Sequence, residues 1–273
     1  ATNTSIGFQA LKANSTAVSN IAIGYQAMPS TTTGATNIAI GNDAMTENTT
    51  GCLNTVIGVG ALMCNTTGCE NIVMGGQAMR FNQTGCHNTA IGRLALCTNT
   101  TGNTNVALGF CALVANTTAS SNTAVGTESL KANTTAGENT AVGYRSLKAN
   151  TTGGTNYTGA SNTAVGADAM FGNSSGADNT AMGHLAMNCN TTGCRNTSIG
   201  KDSLTNTTTG SCNTAVGRKA LVINTTGAKN TALGHTALGG LTTGSENTGV
   251  GFDVMNSTVT GTGNTAVGHG NMS

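Results

Sequence analysis

The stretch NTAVGYRSLKANTTG runs from Asn139 to Gly153, and nearly the same fifteen residues return as NTALGHTALGGLTTG from Asn230 to Gly244. Aligning the chain on the glycine that follows the aliphatic residue of this motif gives Gly7, Gly24, Gly41, Gly58, Gly75, Gly92, Gly109, Gly126 and Gly143. The series resumes at Gly166, Gly183, Gly200, Gly217, Gly234, Gly251 and Gly268. Every step is 17 residues except one of 23, between Gly143 and Gly166. The unit is N-T-A-[IV]-G-x-x-A-[LM]-x-x-N-T-T-G-x-x, and a fixed period this short marks a solenoid. The expectation is an all-β fold: one parallel β-solenoid or β-roll spanning 1–273, with sixteen 17-residue rungs and a loop insertion at about 155–161. With rungs ~4.8 Å apart the stack would be roughly 75 Å long.

Counting from the repeat glycine, position −1 is Ile, Val, Leu or Met in all sixteen repeats. Position +4 is Leu or Met in all sixteen, as in Leu11, Met45, Leu96 and Met272. These are the only unbroken apolar columns, so they are expected to form the core. Thr, Asn and Gly are poor helix formers, and short β-branched segments punctuated by Gly and Asn fit strands and turns. Small residues on either side, such as Ala90, Ala95 and Ala124, would let the walls approach closely. Position −4 is Asn sixteen times: Asn3, Asn20, Asn37, Asn54, Asn71, Asn88, Asn105, Asn122, Asn139, Asn162, Asn179, Asn196, Asn213, Asn230, Asn247 and Asn264. Stacked in register, these amides can bond up and down one column as a stabilising ladder.

Composition narrows the function. The chain carries 39 Gly, one Pro, no Trp, 8% charged residues and a net charge of +1. No basic block supports nucleic-acid binding or steering to a membrane surface. No apolar run reaches the roughly 18 residues of a membrane span. No acid/base pair, nucleophile constellation or phosphate loop emerges, so neither enzymatic activity nor a cofactor is expected.

Three sets of residues stand out beyond the frame. Nine cysteines include two copies of CNTTGC, Cys64–Cys69 and Cys189–Cys194, each flanking a four-residue turn that could bring the β-carbons within bridging reach. Cys52, Cys69 and Cys86 share one column, so bridging between rungs competes with bridging within a turn. The connectivity stays open, the four His do not cluster with the thiols as zinc would need, and disulfides would place the chain outside the cytosol. Asn-x-Ser/Thr recurs at the NTTG turn, at Asn14, Asn48, Asn65, Asn82, Asn99, Asn116, Asn133, Asn150, Asn173, Asn190 and Asn224, with Asn156 in the insertion. The column reads either as an N-glycan comb or as a tight turn that uses Asn and Thr for its own geometry. Position +1 is variable and holds Phe8, Tyr25, Arg93, Phe110, Tyr144, His184, Lys201, Arg218, His235 and Phe252. It reads either as a ligand or interface column, able to stack on sugars or meet a neighbouring chain, or as a plain solvent edge.

The N-T-A-[IV]-G-x-x-A-[LM] unit resembles the head repeats of trimeric autotransporter adhesins, and still more the longer NTAIG…AL…NTTG repeats of phage and large-virus tail fibre proteins. The resemblance covers essentially the whole chain. It implies a parallel β-roll, often three chains side by side, and no catalytic residues. The adhesin repeat is shorter than 17 residues. The motif also runs to both ends with no atypical capping repeat, which fits an excised segment or ends that stack head to tail. Together these features give the expectation of a self-assembling extracellular fibre at a cell or virion surface. The alternatives are an adhesin or viral segment that binds surface glycans through the +1 column or the Tyr157 loop, and an ice-binding solenoid. For the last, the −3 column of Thr is interrupted at Ile21, Ile38, Ile72 and Val106.

Overall fold

The computed structural model describes residues 2–151, 158–257 and 260–270. Met272, Asn156 and the Tyr157 loop lie outside them. Two compact units divide the chain, Ala1–Thr135 and Ala136–Ser273. The first holds eight three-residue strands: β1 (Thr4–Ile6), β2 (Ile21–Ile23), β3 (Ile38–Ile40), β4 (Thr55–Ile57), β5 (Ile72–Met74), β6 (Thr89–Ile91), β7 (Val106–Leu108) and β8 (Thr123–Val125). The second holds β9 (Thr140–Val142), β10 (Thr163–Val165), β11 (Thr180–Met182), β12 (Thr197–Ile199), β13 (Thr214–Val216), β14 (Thr231–Leu233), β15 (Thr248–Val250) and β16 (Thr265–Val267).

Within each unit consecutive strands pair parallel and in register, one strand per repeat, as Thr89↔Val106, Ala90↔Ala107 and Ile91↔Leu108 do. The longer step is absorbed without loss of register, since Thr163 still faces Thr140. The fold is therefore the all-β parallel solenoid that the period predicts. Bonding along the stack continues past the short strands: Leu96 N donates to Ala112 O at 2.9 Å and Thr100 N to Thr117 O at 2.8 Å. Nearly every part of a rung is tied to its neighbour, which satisfies backbone groups that such short strands would otherwise leave unpaired.

One expectation is corrected. The −1 aliphatic column is not in the core: Ile57 is 37% exposed, Ile91 39% and Leu233 48%. The core is built from the −2 column (Ala39, Ala90, Ala107, Ala164), the +3 column (Ala44, Ala95, Ala112, Ala186) and the +4 column (Met45, Leu96, Leu113, Met187), all fully buried. Side chains alternate along a strand. The Asn at −4 turns inward, so −2 turns inward with it, and −3 and −1 face out. Alanine is what a rung this thin can hold opposite a Leu or Met.

Each rung then turns twice. Ala95 N donates back to Gly92 O at 3.1 Å, and Asn99 N to Leu96 O at 3.2 Å. Gly92 has φ +132°, and a Cβ placed there would lie 2.6 Å from the carbonyl oxygen of Gly109. Only glycine fits. Other left-handed positions are held by larger residues: Leu94 at φ 61°, Leu96 at φ 52° and Thr104 at φ 56°. A left-handed L-residue costs about 1–2 kcal/mol. For Leu96 that is offset by the ~1.5–3 kcal/mol gained on burying a leucine side chain.

Candidate functional site: the outward sheet face and its flanking columns

The Asn ladder forms as the spacing predicts. Asn88 Oδ1 accepts from Asn105 N at 2.9 Å and from Asn105 Nδ2 at 3.1 Å, while Asn105 Nδ2 also donates to Ala119 O at 2.9 Å. From Asn20 to Asn247 the column is buried, and only Asn3 and Asn264 reach solvent.

A second ladder, hidden among the sequons, runs beside it. Asn82 Nδ2 donates to Asn65 Oδ1 at 2.8 Å and to Gly85 O at 3.0 Å, and Asn99 Nδ2 donates in turn to Asn82 Oδ1 at 2.8 Å. Asn48, Asn65, Asn82, Asn99, Asn116, Asn133, Asn150, Asn173, Asn190 and Asn224 are all fully buried. Their Nδ2 atoms, where a glycan would attach, point into the rung, so a glycan there is incompatible with the folded stack. Asn14 is half-buried. Spacing alone identified these residues as a turn column. Their equivalence to the −4 ladder follows only from the inward direction of the side chain. The ladder is interrupted where the sequence changes to Thr31, Thr207 and Leu241. Asn190 Oδ1 and Asn224 Oδ1, the acceptors facing the last two interruptions, are buried without a hydrogen-bond partner.

The +1 column is exposed, and its rings stack on one another. Phe8 lies 5.5 Å from Tyr25 with planes 15° apart. His235, Phe252 and His269 stack at 5.1 and 5.2 Å. The Arg93 guanidinium lies 5.9 Å from the Phe110 ring, Arg145 lies 4.7 Å from Tyr144, and Arg218 Nη1 is 3.1 Å from His235 Nε2. His184 and Lys201 project from the same edge, Lys201 Nζ being 3.8 Å from Asp202 Oδ2. The ring faces of the stacked aromatics are used along the axis, which leaves their edges outward and less ring face for a sugar.

All nine cysteines are unbridged. Cys52 Sγ lies 2.9 Å from Cys69 Sγ. Cys52 N donates to Cys69 Sγ, and Cys69 N to Cys86 Sγ, each at 3.1 Å. In the second CNTTGC copy, Cys194 Sγ accepts from Ala177 N on the adjacent rung at 3.4 Å, and Cys189 is exposed. Burial pushes the thiols of Cys64, Cys69, Cys97 and Cys111 above their ordinary range.

The outward strand face is chemically uniform. Its two columns, −3 and −1, hold only Thr, Ile, Val, Leu and Met on all sixteen strands. None is charged. In one unit, eight rungs at ~4.8 Å and a face roughly 10 Å wide give about 400 Å² of uncharged surface, within the roughly 300–600 Å² of the largest apolar patch on an ordinary monomer.

Elsewhere, Arg145, Asp168, Phe171, Leu185 and Asn188 line a shallow recess. There Arg145 pairs side-on with Asp168, Nε donating to Oδ1 at 2.8 Å and Nη2 to Oδ2 at 3.0 Å. Among the described residues no group of His, Cys, Asp and Glu is placed to hold a metal, and no helix is long and apolar enough to cross a membrane. Comparison with known proteins yields no match: no protein family fits the chain, and no curated protein or solved structure is significantly similar to it.

Proposed function

We propose that the chain is a structural subunit of an extracellular fibre, whose stacked rungs associate laterally with other copies through the outward strand face. The observation that carries this reading is the absence of charge on that face. A sheet face that meets only water ordinarily carries polar side chains with charges of both signs interspersed. Here the sixteen strands offer aliphatic side chains and Thr at a fixed rung spacing. A second copy, having the same spacing, matches it rung for rung. One unit supplies about half of the ~800 Å² per partner that a stable pair needs, so affinity would rise with the number of rungs engaged. The resemblance to fibre repeats and the use of the aromatic column for rung stacking support the same reading.

The test is sedimentation velocity and negative-stain microscopy of the full chain beside a variant with Ile57→Lys and Ile91→Lys, both outward. Association in the parent and dispersed particles in the variant are expected. A parent that stays monomeric at its highest attainable concentration would sink the proposal.

One observation favours a second reading for the second unit. Its −3 column is Thr without interruption: Thr140, Thr163, Thr180, Thr197, Thr214, Thr231, Thr248 and Thr265. All face outward on a regular sheet, as an ice-binding face requires. Thermal hysteresis that disappears in a Thr180→Lys, Thr214→Lys variant would support it; no hysteresis in the parent would dismiss it.

A further inference from the structure

The sequence leaves two routes for the cysteines of the first CNTTGC copy, across the turn or along the stack. Their surroundings separate the routes. Cys64 has Glu47 and Arg80 as its charged neighbours, whereas Cys69 is set against Cys52 and Glu70. Cys52 and Cys69 occupy the same place on successive rungs, where the Cα separation of ~4.8 Å falls inside the roughly 4.4–6.8 Å that a disulfide spans. Their sulfurs already touch, at 2.9 Å. Both residues are half-exposed, so a small reagent can reach them. Cys86 has the next place in the column; Cys69 Sγ and Cys86 Sγ each donate to the carbonyl two residues back at 3.4 Å, so the short Cys52–Cys69 sulfur contact is what sets that pair apart.

From this geometry we infer that Cys52 and Cys69 are a redox pair that closes into a rung-to-rung disulfide when the protein meets a small-molecule disulfide, leaving Cys64 and Cys86 as thiols. Cys69, as its thiolate, attacks the reagent, and the reverse order gives the same bridge. Its sulfur bonds to one sulfur of the reagent and the other leaves as a thiolate. Cys52 then attacks Cys69 Sγ and expels the second reagent thiolate. The two protein thiols lose two electrons and two protons, and the reagent gains them as two thiols. The bridge would lock neighbouring rungs whether or not copies associate, so it stands independently of the fibre proposal.

The full-length protein, native and reduced, is incubated with excess oxidised glutathione, and free thiols are then alkylated with iodoacetamide. Cyanogen bromide cleaves after Met45, Met63, Met74 and Met79, which places Cys52 on one fragment, Cys64 and Cys69 on the next, and Cys86 on a third. Mass spectrometry should find the first two fragments joined and Cys86 alkylated. The join should persist in Cys64→Ser and vanish in Cys69→Ser. Recovery of the Cys52 fragment alone and alkylated would overturn the inference, as would a join lost in Cys64→Ser or a join between the Cys69 and Cys86 fragments. Cys64→Ser keeps the test decisive if Cys69→Ser fails to fold, and circular dichroism of each variant monitors that.

Discussion

The break in the inner ladder at Thr207 invites repair. Asn190 Oδ1 sits beneath it, buried and without a partner. Thr207 Oγ1 turns away to Asn224 O, at 3.1 Å. In Thr207→Asn the new side chain enters a column shaped for Asn on both sides. Its Nδ2 can donate to Asn190 Oδ1 and to Gly210 O, as Asn82 does to Asn65 Oδ1 and Gly85 O. Its Oδ1 can accept from Asn224 Nδ2, which now donates to Gly227 O. Leaving a buried acceptor unpaired costs about 1–3 kcal/mol, and the hydroxyl bond that is lost contributed about 1 kcal/mol. The net gain should be centred on about 1 kcal/mol. With m near ~2 kcal/mol/M in urea, the midpoint should rise by roughly 0.5 M at constant m. Asn82→Thr, the reverse change inside an intact ladder, should lower the midpoint by a similar amount. Urea unfolding followed by circular dichroism reads both. A Thr207→Asn midpoint that is unchanged or lower, with m unchanged and Asn82→Thr neutral, would refute the idea that the inner Asn column stabilises the stack.

Other outcomes follow from the same geometry. Gly92→Ala forces an L-residue to φ +132° and drives its Cβ to 2.6 Å from a backbone carbonyl of the next rung, so a loss above about 3 kcal/mol is expected by urea melt. Gln77→Gly should do the opposite. Gln77 is an exposed left-handed residue at φ 57°, and the relief of about 1–2 kcal/mol outweighs the ~0.5–1 kcal/mol of added chain entropy. The net gain is small and shows as a raised midpoint; the rung before already places Gly60 there, at φ 61°. Burial pushes the Cys97 thiol up, against the opposing backbone hydrogen bond and positive charge of Arg80. Its alkylation by iodoacetamide should therefore rise with pH to a midpoint above that of an ordinary cysteine. Between the unfolded and folded values the unfolded chain has lost this proton and the folded chain keeps it. The contribution of Cys97 to stability therefore falls as pH rises through that window.

The period of 17 is legible without any coordinates because a stack repeats its chemistry wherever it repeats its geometry. From that spacing come the parallel register, the strand positions and the −4 Asn ladder. The direction of each side chain is not contained in the period. Apolar character at −1 and +4 looks alike in a list of residues, yet Leu96 is buried while Ile91 is on the surface. Strand alternation, anchored by the inward Asn88, decides between them.

The same limit governs the candidate sites. The spacing of Asn65, Asn82 and Asn99 marks a turn column, a sequon column and an amide ladder equally. Only the burial of Nδ2 makes it the ladder. The spacing of Cys52, Cys64 and Cys69 permits two bridges, and the approach of two sulfurs along the stack favours one. The sequence by itself determined the repeat, the fold class and which residues share a column, because those follow from periodicity. The tertiary structure decided which columns face inward, where the uncharged face lies and which thiols meet. Those outcomes depend on the packing of one rung on the next, where an Asn that must be hydrogen-bonded takes the interior ahead of an isoleucine that can tolerate water.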